Sequence, residues 1–308
     1  MMSNYNIQEM IQKNKSNKGA VVEKSIPVIL FLITSVSILA TIGILYTLIS
    51  QSLEFFSRES FMTFITSANW SPYGAEPEFG IWALVMGTMK VVAIATVFAV
   101  PVGLGAAIYL SEYATERVRK IIKPILEVLA GIPTVVYGFF AINFVTPVLQ
   151  SIWPEISLYN AISAGLVVGI MIIPMIASLS EDAMSSVPNS MREGSLGMGA
   201  TRLETTFKIV LPAAVSGIIA SIVLAVSRAI GETMIVSIAA GSTPNASLDI
   251  TSSLQTMTGF IVQITSGDAA YGSSLYFSLF AVGMTLFVMT FTMNIISQWI
   301  TKRYREEY

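Results

Sequence analysis

Residues 193–212 read Glu-Gly-Ser-Leu-Gly-Met-Gly-Ala-Thr-Arg-Leu-Glu-Thr-Thr-Phe-Lys-Ile-Val-Leu-Pro, a polar stretch with a long apolar run on each side. Within it, Glu193 is followed after five residues by Gly199. After nine more residues come Ile209, Leu211 and Pro212. A polar segment between two runs that are long enough to cross a bilayer predicts an exposed loop between two membrane spans.

The composition places the whole chain in a membrane. Of its 308 residues, 54% are hydrophobic and only 12% are charged, whereas soluble domains carry about 25% charged residues. Uncharged apolar runs exceed the roughly 18 residues that indicate a membrane-spanning helix. The net charge is −2 and the sequence has no basic stripe, so nothing favours nucleic-acid binding.

The residue types that are missing exclude several kinds of chemistry. The chain has no Cys and no His, which removes disulfides, thiolate nucleophiles, Cys/His metal sites and imidazole acid–base catalysis. It also has no Gly-x-x-x-x-Gly-Lys-Ser/Thr motif. If ATP drives this protein, another polypeptide must bind the nucleotide.

Six apolar runs predict an all-α membrane protein with one transmembrane domain, residues 27–300. Its spans are expected at about 27–49, 81–110, 124–149, 161–179, 212–240 and 275–300. Residues 1–26 and 301–308 are expected to be tails, 51–80 and 241–274 outer segments, and 181–208 the loop that contains the opening stretch. The first run is too long for a secretory signal and is therefore read as a retained span. Residues 52–65 are amphipathic, which favours a position flat at the membrane interface.

The basic residues predict the orientation. Of 17 Lys and Arg, 14 lie in the two tails and in two loops, residues 111–123 and 181–208. Cytoplasmic loops carry such an excess, so both termini and both basic loops are expected to face the cytoplasm. Residues 193–212 would then be accessible to a cytoplasmic partner.

Four charged residues fall in or beside the predicted spans. Lys90 is expected to snorkel at the outer boundary, and Glu127 to lie in the first turn of its span, where the helix dipole favours a carboxylate. A helix that begins near Pro212 places Arg228 about 24 Å along its axis, near the middle of the bilayer. Glu232 would lie one turn further on the same face.

Arg228 and Glu232 have two interpretations. A charge at this depth costs at least about 2.5–3.5 kcal/mol and usually faces the protein interior or a water-filled path. The two residues could form a structural ion pair. Alternatively, Arg228 offers donors to an oxyanion, while Glu232 either holds the guanidinium or accepts the proton of a protonated phosphate and repels sulfate.

The opening stretch resembles the cytoplasmic "EAA" loop of ABC-type import permeases, a short helix that docks in a groove of the ATPase subunit. Gly194 and Ser195 stand where that family usually has two alanines. The resemblance implies that one set of residues couples this chain to an ATPase: Glu193, Gly194, Ser195, Gly199, Ile209, Leu211 and Pro212.

Nearly the whole chain resembles the PstC-type permease subunits of phosphate-specific ABC importers. The matching stretches are residues 82–88, 101–113, 129–140 and 227–234, the last of which reads Ser-Arg-Ala-Ile-Gly-Glu-Thr-Met. The resemblance implies the MetI-like permease fold of type I ABC importers. It also implies that Arg228 and Glu232 lie in the substrate path, because the matching Arg and Glu of that family are associated with phosphate translocation.

The resemblance further implies a set of partners in a prokaryotic plasma (inner) membrane. These are a sister A-type permease in a heterodimer, two ATPase subunits that carry ATP and Mg, and an extracytoplasmic phosphate-binding protein docked on residues 51–80 and 241–274. The chain itself would need no cofactor and would not be an enzyme. Two alternatives are a permease for another oxyanion or small solute, and an ATP-independent channel or ion-coupled carrier. A membrane enzyme has no nucleophile, metal set or paired carboxylates to support it.

Overall fold

A computed structural model describes residues 17–74, 76–267 and 269–303. Most of the predicted N-terminal tail (residues 1–16) and the end of the C-terminal tail (residues 304–308) lie outside these residues. The chain divides into two compact units, one ending at Gln51 and one beginning at Ser52. The first helix starts at Asn17, so it extends well beyond the predicted first span of 27–49.

Six helices in the described residues are long and apolar enough to cross a membrane: Ser25–Arg58, Trp82–Tyr113, Thr134–Ile152, Ala161–Ser185, Arg202–Ile230 and Ser274–Arg303. A helix satisfies its own backbone hydrogen bonds, which a spanning segment in lipid requires. In chain order the elements are α1 Asn17–Arg58, α2 Phe61–Thr66, β1 Trp70–Ser71, β2 Glu78–Phe79, α3 Trp82–Ile108, α4 Glu116–Gly131, α5 Thr134–Phe140, α6 Thr146–Ile152, α7 Ala161–Ser185, α8 Asn189–Gly197, α9 Arg202–Thr205, α10 Leu211–Ile230, α11 Met234–Ala239, α12 Met257–Ser266 and α13 Ser274–Arg303. Short π-helical segments, Tyr109–Tyr113, Ala141–Val145 and Thr206–Val210, extend α3, join α5 to α6 and join α9 to α10.

The third span begins later than the predicted residues 124–149. A separate amphipathic helix, α4, ends at Gly131, and the spanning helix starts only at Thr134. Ile132 and Pro133 are extended between them, because proline disfavours helical geometry in the residue before it and has no N–H to donate. The prediction that Glu127 lies in the first turn of a span is therefore wrong.

The fifth span is broken, whereas one helix was predicted over residues 212–240. α10 ends at Ile230, and α11 begins at Met234 after a short non-helical turn. The turn starts at Gly231, a residue type that disfavours helix interiors. Such a break is tolerated in a membrane where other groups of the protein satisfy the freed backbone atoms, and the Thr258 hydroxyl donates to the backbone oxygen of Glu232 at 2.7 Å.

Small residues allow the spanning helices α3, α7 and α10 to pack closely. A Cβ on Gly165 of α7 would lie 2.7 Å from the Ile94 side chain of α3, and one on Gly217 of α10 would lie 2.5 Å from the Cβ of Ala183. Glycine at such positions lets membrane helices approach each other and gain packing contacts that lipid cannot replace. This three-helix core supports the elements that carry the candidate site.

One face of residues 52–65 packs against protein, and their position at the membrane interface stays a prediction. Phe55 is fully buried and meets Phe79 edge to face at 5.3 Å. Trp70, on the two-stranded hairpin β1–β2, meets Phe260 of α12 at 4.8 Å. Each such aromatic pair contributes about 0.5–1.5 kcal/mol beyond the area it buries, so the amphipathic pattern reflects a protein core.

Candidate functional site

Arg228 lies in the last turn of α10 on an exposed face. Its guanidinium makes no hydrogen bond or ion pair with any residue that the structure describes. Arg228 lines a cavity of about 380 Å³ together with Glu127 of α4 and Ser178 of α7. The remaining wall residues are Lys123, Leu126, Ala130, Pro174, Met175, Leu179 and Leu224. An apolar cavity with a few convergent polar groups is the usual form of a small-molecule site.

Glu232 does not pair with Arg228. The residue is 8% exposed, and its Oε1 accepts hydrogen bonds from the backbone N–H groups of Met234 at 3.0 Å and Ile235 at 3.2 Å. The carboxylate therefore satisfies the free N–H groups at the start of α11. The structural ion pair, one of the two interpretations of these residues, is not formed, because the helix that would align them ends at Ile230. A role for Glu232 in the substrate path stays a prediction.

The polar face of α4 is anchored on α7. Arg119 Nη2 lies 3.0 Å from Glu181 Oε1, and Lys123 Nζ pairs with the other carboxylate oxygen of Glu181 and with Asp182 at 3.0 Å. Glu181 is only 1% exposed, and its hydrogen bond to Lys123 raises the pKa of that ammonium group. Both cations are thus held on α7, and Glu127, one turn beyond Lys123, is positioned at the cavity.

Lys90 is buried rather than at the outer boundary, so the snorkelling prediction is wrong. Its side chain is in α3, about 12 Å from the start of that helix. The ammonium group donates to the backbone oxygens of Asn245 at 3.4 Å, Ser247 at 2.9 Å and Asp249 at 3.1 Å. These residues belong to the segment 241–256, which was predicted as part of an outer segment. The segment therefore lies beside α3, and Lys90 holds it there.

We expect Lys90→Met to release residues 241–256 from α3 without preventing insertion into the membrane. Three carbonyl oxygens lose a charged donor, and each hydrogen bond to a charged group contributes about 1.5–3 kcal/mol. The measurement is the rate of protease cleavage within residues 241–256 of the protein in proteoliposomes, which should rise. Lys120→Met, at a side chain that is 79% exposed, is the matched control. Equal cleavage rates in the two variants would contradict the role of Lys90.

Residues 189–205 fold into two short helices joined at a left-handed glycine. Between α8 and α9, Gly199 has φ +90°, and no atom lies within 4 Å of where its Cβ would be. A side chain at this position would have space, but the left-handed backbone conformation itself favours glycine. α9 then starts with a capping box, in which the side chains of Thr201 and Glu204 each bond the other's backbone N–H.

The predicted coupling residues lie on or beside this helix pair. Glu193 and Gly194 are exposed on α8, and Pro212 is exposed at the start of α10, whereas Ile209 and Leu211 are half-buried. The Ser195 hydroxyl lies 2.9 Å from the Thr205 hydroxyl and joins α8 to α9. The sequence reading missed a set of exposed apolar side chains here: Leu196, Met198, Leu203 and Phe207. A group of exposed apolar side chains among polar ones is typical of a protein-binding surface.

Arg192 ties α8 to the ends of two spanning helices. Its Nη2 lies 3.0 Å from Glu112 Oε1, in the π-helical end of the α3 span. The guanidinium also donates to the backbone oxygens of Met184 at 2.7 Å and Val187 at 2.5 Å, at the end of α7. These contacts satisfy carbonyls that a helix end leaves free, and a displacement of α8 would act on α3 and α7.

The six apolar helices, the exposed helix pair and the cavity at Arg228 define a multi-pass membrane protein. Residues 99–306 match the family model described as "Binding-protein-dependent transport system inner membrane component". Two solved structures share the fold. A chain of the MetNI methionine ABC transporter, in an inward-facing conformation, is 18% identical with a TM-score of 0.56, and covers 73% of this chain and 98% of its own. A chain of a bacterial alginate ABC transporter is 15% identical with a TM-score of 0.61, at 96% and 98% coverage.

The curated relatives share more sequence identity with this chain than these two solved structures do. The phosphate transport system permease protein PstC of Mesorhizobium japonicum is 32% identical over 280 residues, which are 85% of this chain and 84% of the relative. The probable ABC transporter permease YqgH of Bacillus subtilis is 33% identical, at 78% and 77% coverage. The probable PstC of Methanocaldococcus jannaschii is 30% identical, at 83% and 85%. The chain therefore belongs to the PstC family of binding-protein-dependent permeases, and it is a multi-pass inner-membrane protein.

The sequence analysis placed Glu127 in a membrane span, whereas the structure places it on the separate helix α4, at the cavity. A signal for it is present, because Arg119, Lys123 and Glu127 recur at every fourth residue. This spacing places three charged side chains on one helical face. The spacing predicts a polar face only if residues 116–131 are read as a separate helix, and the apolar residues among them suggested the beginning of a span.

Proposed function

We propose that this chain is the membrane subunit of an ATP-driven importer of inorganic phosphate and forms one half of its translocation path. The names of its PstC relatives support phosphate as the substrate. The observation that carries the proposal at the level of residues is the guanidinium of Arg228, which has no ion pair among the described residues and lines an apolar cavity between α4, α7 and α10. An unpaired cation at such a place is costly unless an anion uses it.

The cavity suits brief binding of an oxyanion. Arg228 offers a planar fork of donors that matches two oxygens of a tetrahedral anion. Apolar walls reduce the local dielectric constant and strengthen this attraction. A transported ion must also leave, and a single cation with open surroundings favours release. Glu232 supports the path indirectly, because it fixes the break between α10 and α11.

The helix pair α8–α9 serves as the docking element for an ATPase subunit. Its apolar side chains would enter a groove of that partner, as the resemblance to the import permeases implies, and the basic residue distribution supports a cytoplasmic position. ATP binding by the partner would displace α8. Through Arg192 this displacement would reach the ends of α3 and α7 and change the access to the cavity.

The remaining partners complete the path. A sister A-type permease would cover the open side of the cavity at Arg228. Two ATPase subunits, carrying ATP and Mg, would drive the cycle from the cytoplasm. An extracytoplasmic phosphate-binding protein would dock on the outer segments, which in this chain include the hairpin β1–β2 and residues 241–256.

Uptake by the assembled complex tests the proposal. The chain is co-expressed with its neighbouring permease, ATPase and binding-protein partners, and uptake of radiolabelled phosphate into vesicles is measured with ATP and with a non-hydrolysable analogue. We expect uptake that requires hydrolysable ATP and continues in excess sulfate. Uptake independent of ATP would instead indicate a channel or ion-coupled carrier, and an active complex that ignores phosphate would indicate another solute.

A further inference from the structure

The cavity beside α10 is lined by a carboxylate as well as a guanidinium, and neither forms an ion pair or hydrogen bond within the described residues. Glu127 and Arg228 line the same cavity of about 380 Å³. They form no ion pair within 4 Å, and neither has a hydrogen bond or ion pair with any other described residue. Two opposite charges thus face one space without neutralising each other, which leaves room for a ligand between them.

We propose that Glu127 selects oxyanions that carry a proton and rejects fully ionised ones. This inference rests on the proposed function as a phosphate permease. At neutral pH every phosphate ion retains at least one O–H group, whereas sulfate has none. An ionised carboxylate only accepts hydrogen bonds, and a guanidinium only donates them. The pair therefore fits a ligand with bare oxygens toward Arg228 and an O–H toward Glu127.

Sulfate in the same position lacks the proton that Glu127 needs. One of its oxygens would face a carboxylate with no hydrogen between them, and the like charges repel each other across apolar walls such as Leu126 and Met175. Sites that hydrogen-bond a ligand O–H reject analogues without that group strongly, because the polar group of the site is left without a partner. The same geometry accepts arsenate, which also retains a proton at neutral pH.

Other charged groups near the cavity are already engaged. Lys123 pairs with Glu181 and Asp182, and Glu232 accepts two backbone N–H groups of α11. Glu127 is also well positioned, since the ion pairs of Arg119 and Lys123 anchor its helix on α7. Among the carboxylates that the structure describes, Glu127 is thus the one available to a ligand of Arg228.

The test measures anion selection by the permease itself. The complex of this chain with its sister permease and ATPases is placed in lipid nanodiscs without the binding protein, whose own selectivity would otherwise hide that of the cavity. Binding of radiolabelled phosphate is then competed with arsenate or with sulfate. In the unmodified complex we expect arsenate to displace the label. A hundredfold excess of sulfate should leave it bound, because sites that hydrogen-bond a ligand O–H discriminate by about 10⁴-fold or more.

Glu127→Gln is expected to admit sulfate. Its amide can donate to any oxyanion, so the inhibition constant of sulfate should fall at least about tenfold, while arsenate still competes. Glu127→Ala is a second variant with the same direction of change. Glu127→Asp, which retains the carboxylate, should keep sulfate excluded. Glu116→Gln removes the same charge from the same helix at a side chain that is 90% exposed and should match the unmodified complex.

The outcomes separate this inference from the function on which it rests. If sulfate stays excluded from both Glu127→Gln and Glu127→Ala while phosphate still binds, the role of Glu127 is overturned and the importer assignment is untouched. If the assembled, ATPase-active complex neither binds nor takes up phosphate, the proposed function itself is overturned.

Discussion

Arg228→Gln is expected to reduce ATP-dependent phosphate uptake by at least about a hundredfold in the assembled importer. The substitution removes a bidentate, charge-assisted contact in which each hydrogen bond contributes about 1.5–3 kcal/mol. The side chain makes no hydrogen bond or ion pair with the described residues, so its loss should not disturb the fold. The measurement is the initial rate of radiolabelled phosphate uptake into vesicles, normalised to the amount of complex in the membrane.

Two further variants refine this result. Arg228→Lys retains the charge without the planar fork, so we expect an intermediate loss of about tenfold. Arg117→Gln removes an exposed cation from α4 and is expected to leave uptake near that of the unmodified complex. Full phosphate uptake by Arg228→Gln would remove Arg228 from the path and leave the family assignment unchanged.

Gly199→Val is expected to abolish uptake and to weaken co-purification of the ATPase, while the permease remains in the membrane. Gly199 has φ +90°, where a β-branched residue is strongly disfavoured, and such strain costs on the order of 1–3 kcal/mol. The turn between α8 and α9 would relax to another conformation and misplace the apolar side chains that follow it. Gly199→Ala should show the same defect to a smaller degree.

Gly197→Ala is the matched control for Gly199→Val. Gly197 also belongs to the exposed helix pair, has open space within 4 Å of where a Cβ would be, and does not have a positive φ. Alanine is a better helix former than glycine, so uptake should be unchanged. If Gly199→Val transports phosphate as well as Gly197→Ala does, residues 193–212 do not couple this chain to an ATPase.

The number of spanning helices and the position of the exposed loop were predictable because they depend on local properties. Six apolar runs correspond to the six helices of the described residues that are long and apolar enough to cross a membrane. The pattern from Glu193 to Pro212 predicted a polar connection, the resemblance to the import permeases implied a short helix in it, and α8 lies there. Burial in lipid selects for apolar composition over a whole segment, so a window of sequence carries this information by itself.

The interruptions of the helices were not predictable in the same way. Pro133 separates α4 from the third span and Gly231 begins the break in the fifth, yet Pro101 lies inside the unbroken helix α3. Whether a proline or glycine ends a membrane helix depends on which neighbouring groups can satisfy the freed backbone atoms. In the fifth span those groups are Thr258 and the carboxylate of Glu232.

The sequence by itself determined that this is a six-span membrane protein of the import-permease type, with an exposed loop and a charged arginine within the fifth span. Only the tertiary structure decided which charges meet. It assigned Glu232 to the start of α11, Lys90 to residues 241–256, and Glu127 to the cavity of Arg228. The physical reason is that hydropathy is a sum over neighbouring residues, whereas the partner of a charge is set by contacts between segments that are far apart in the chain.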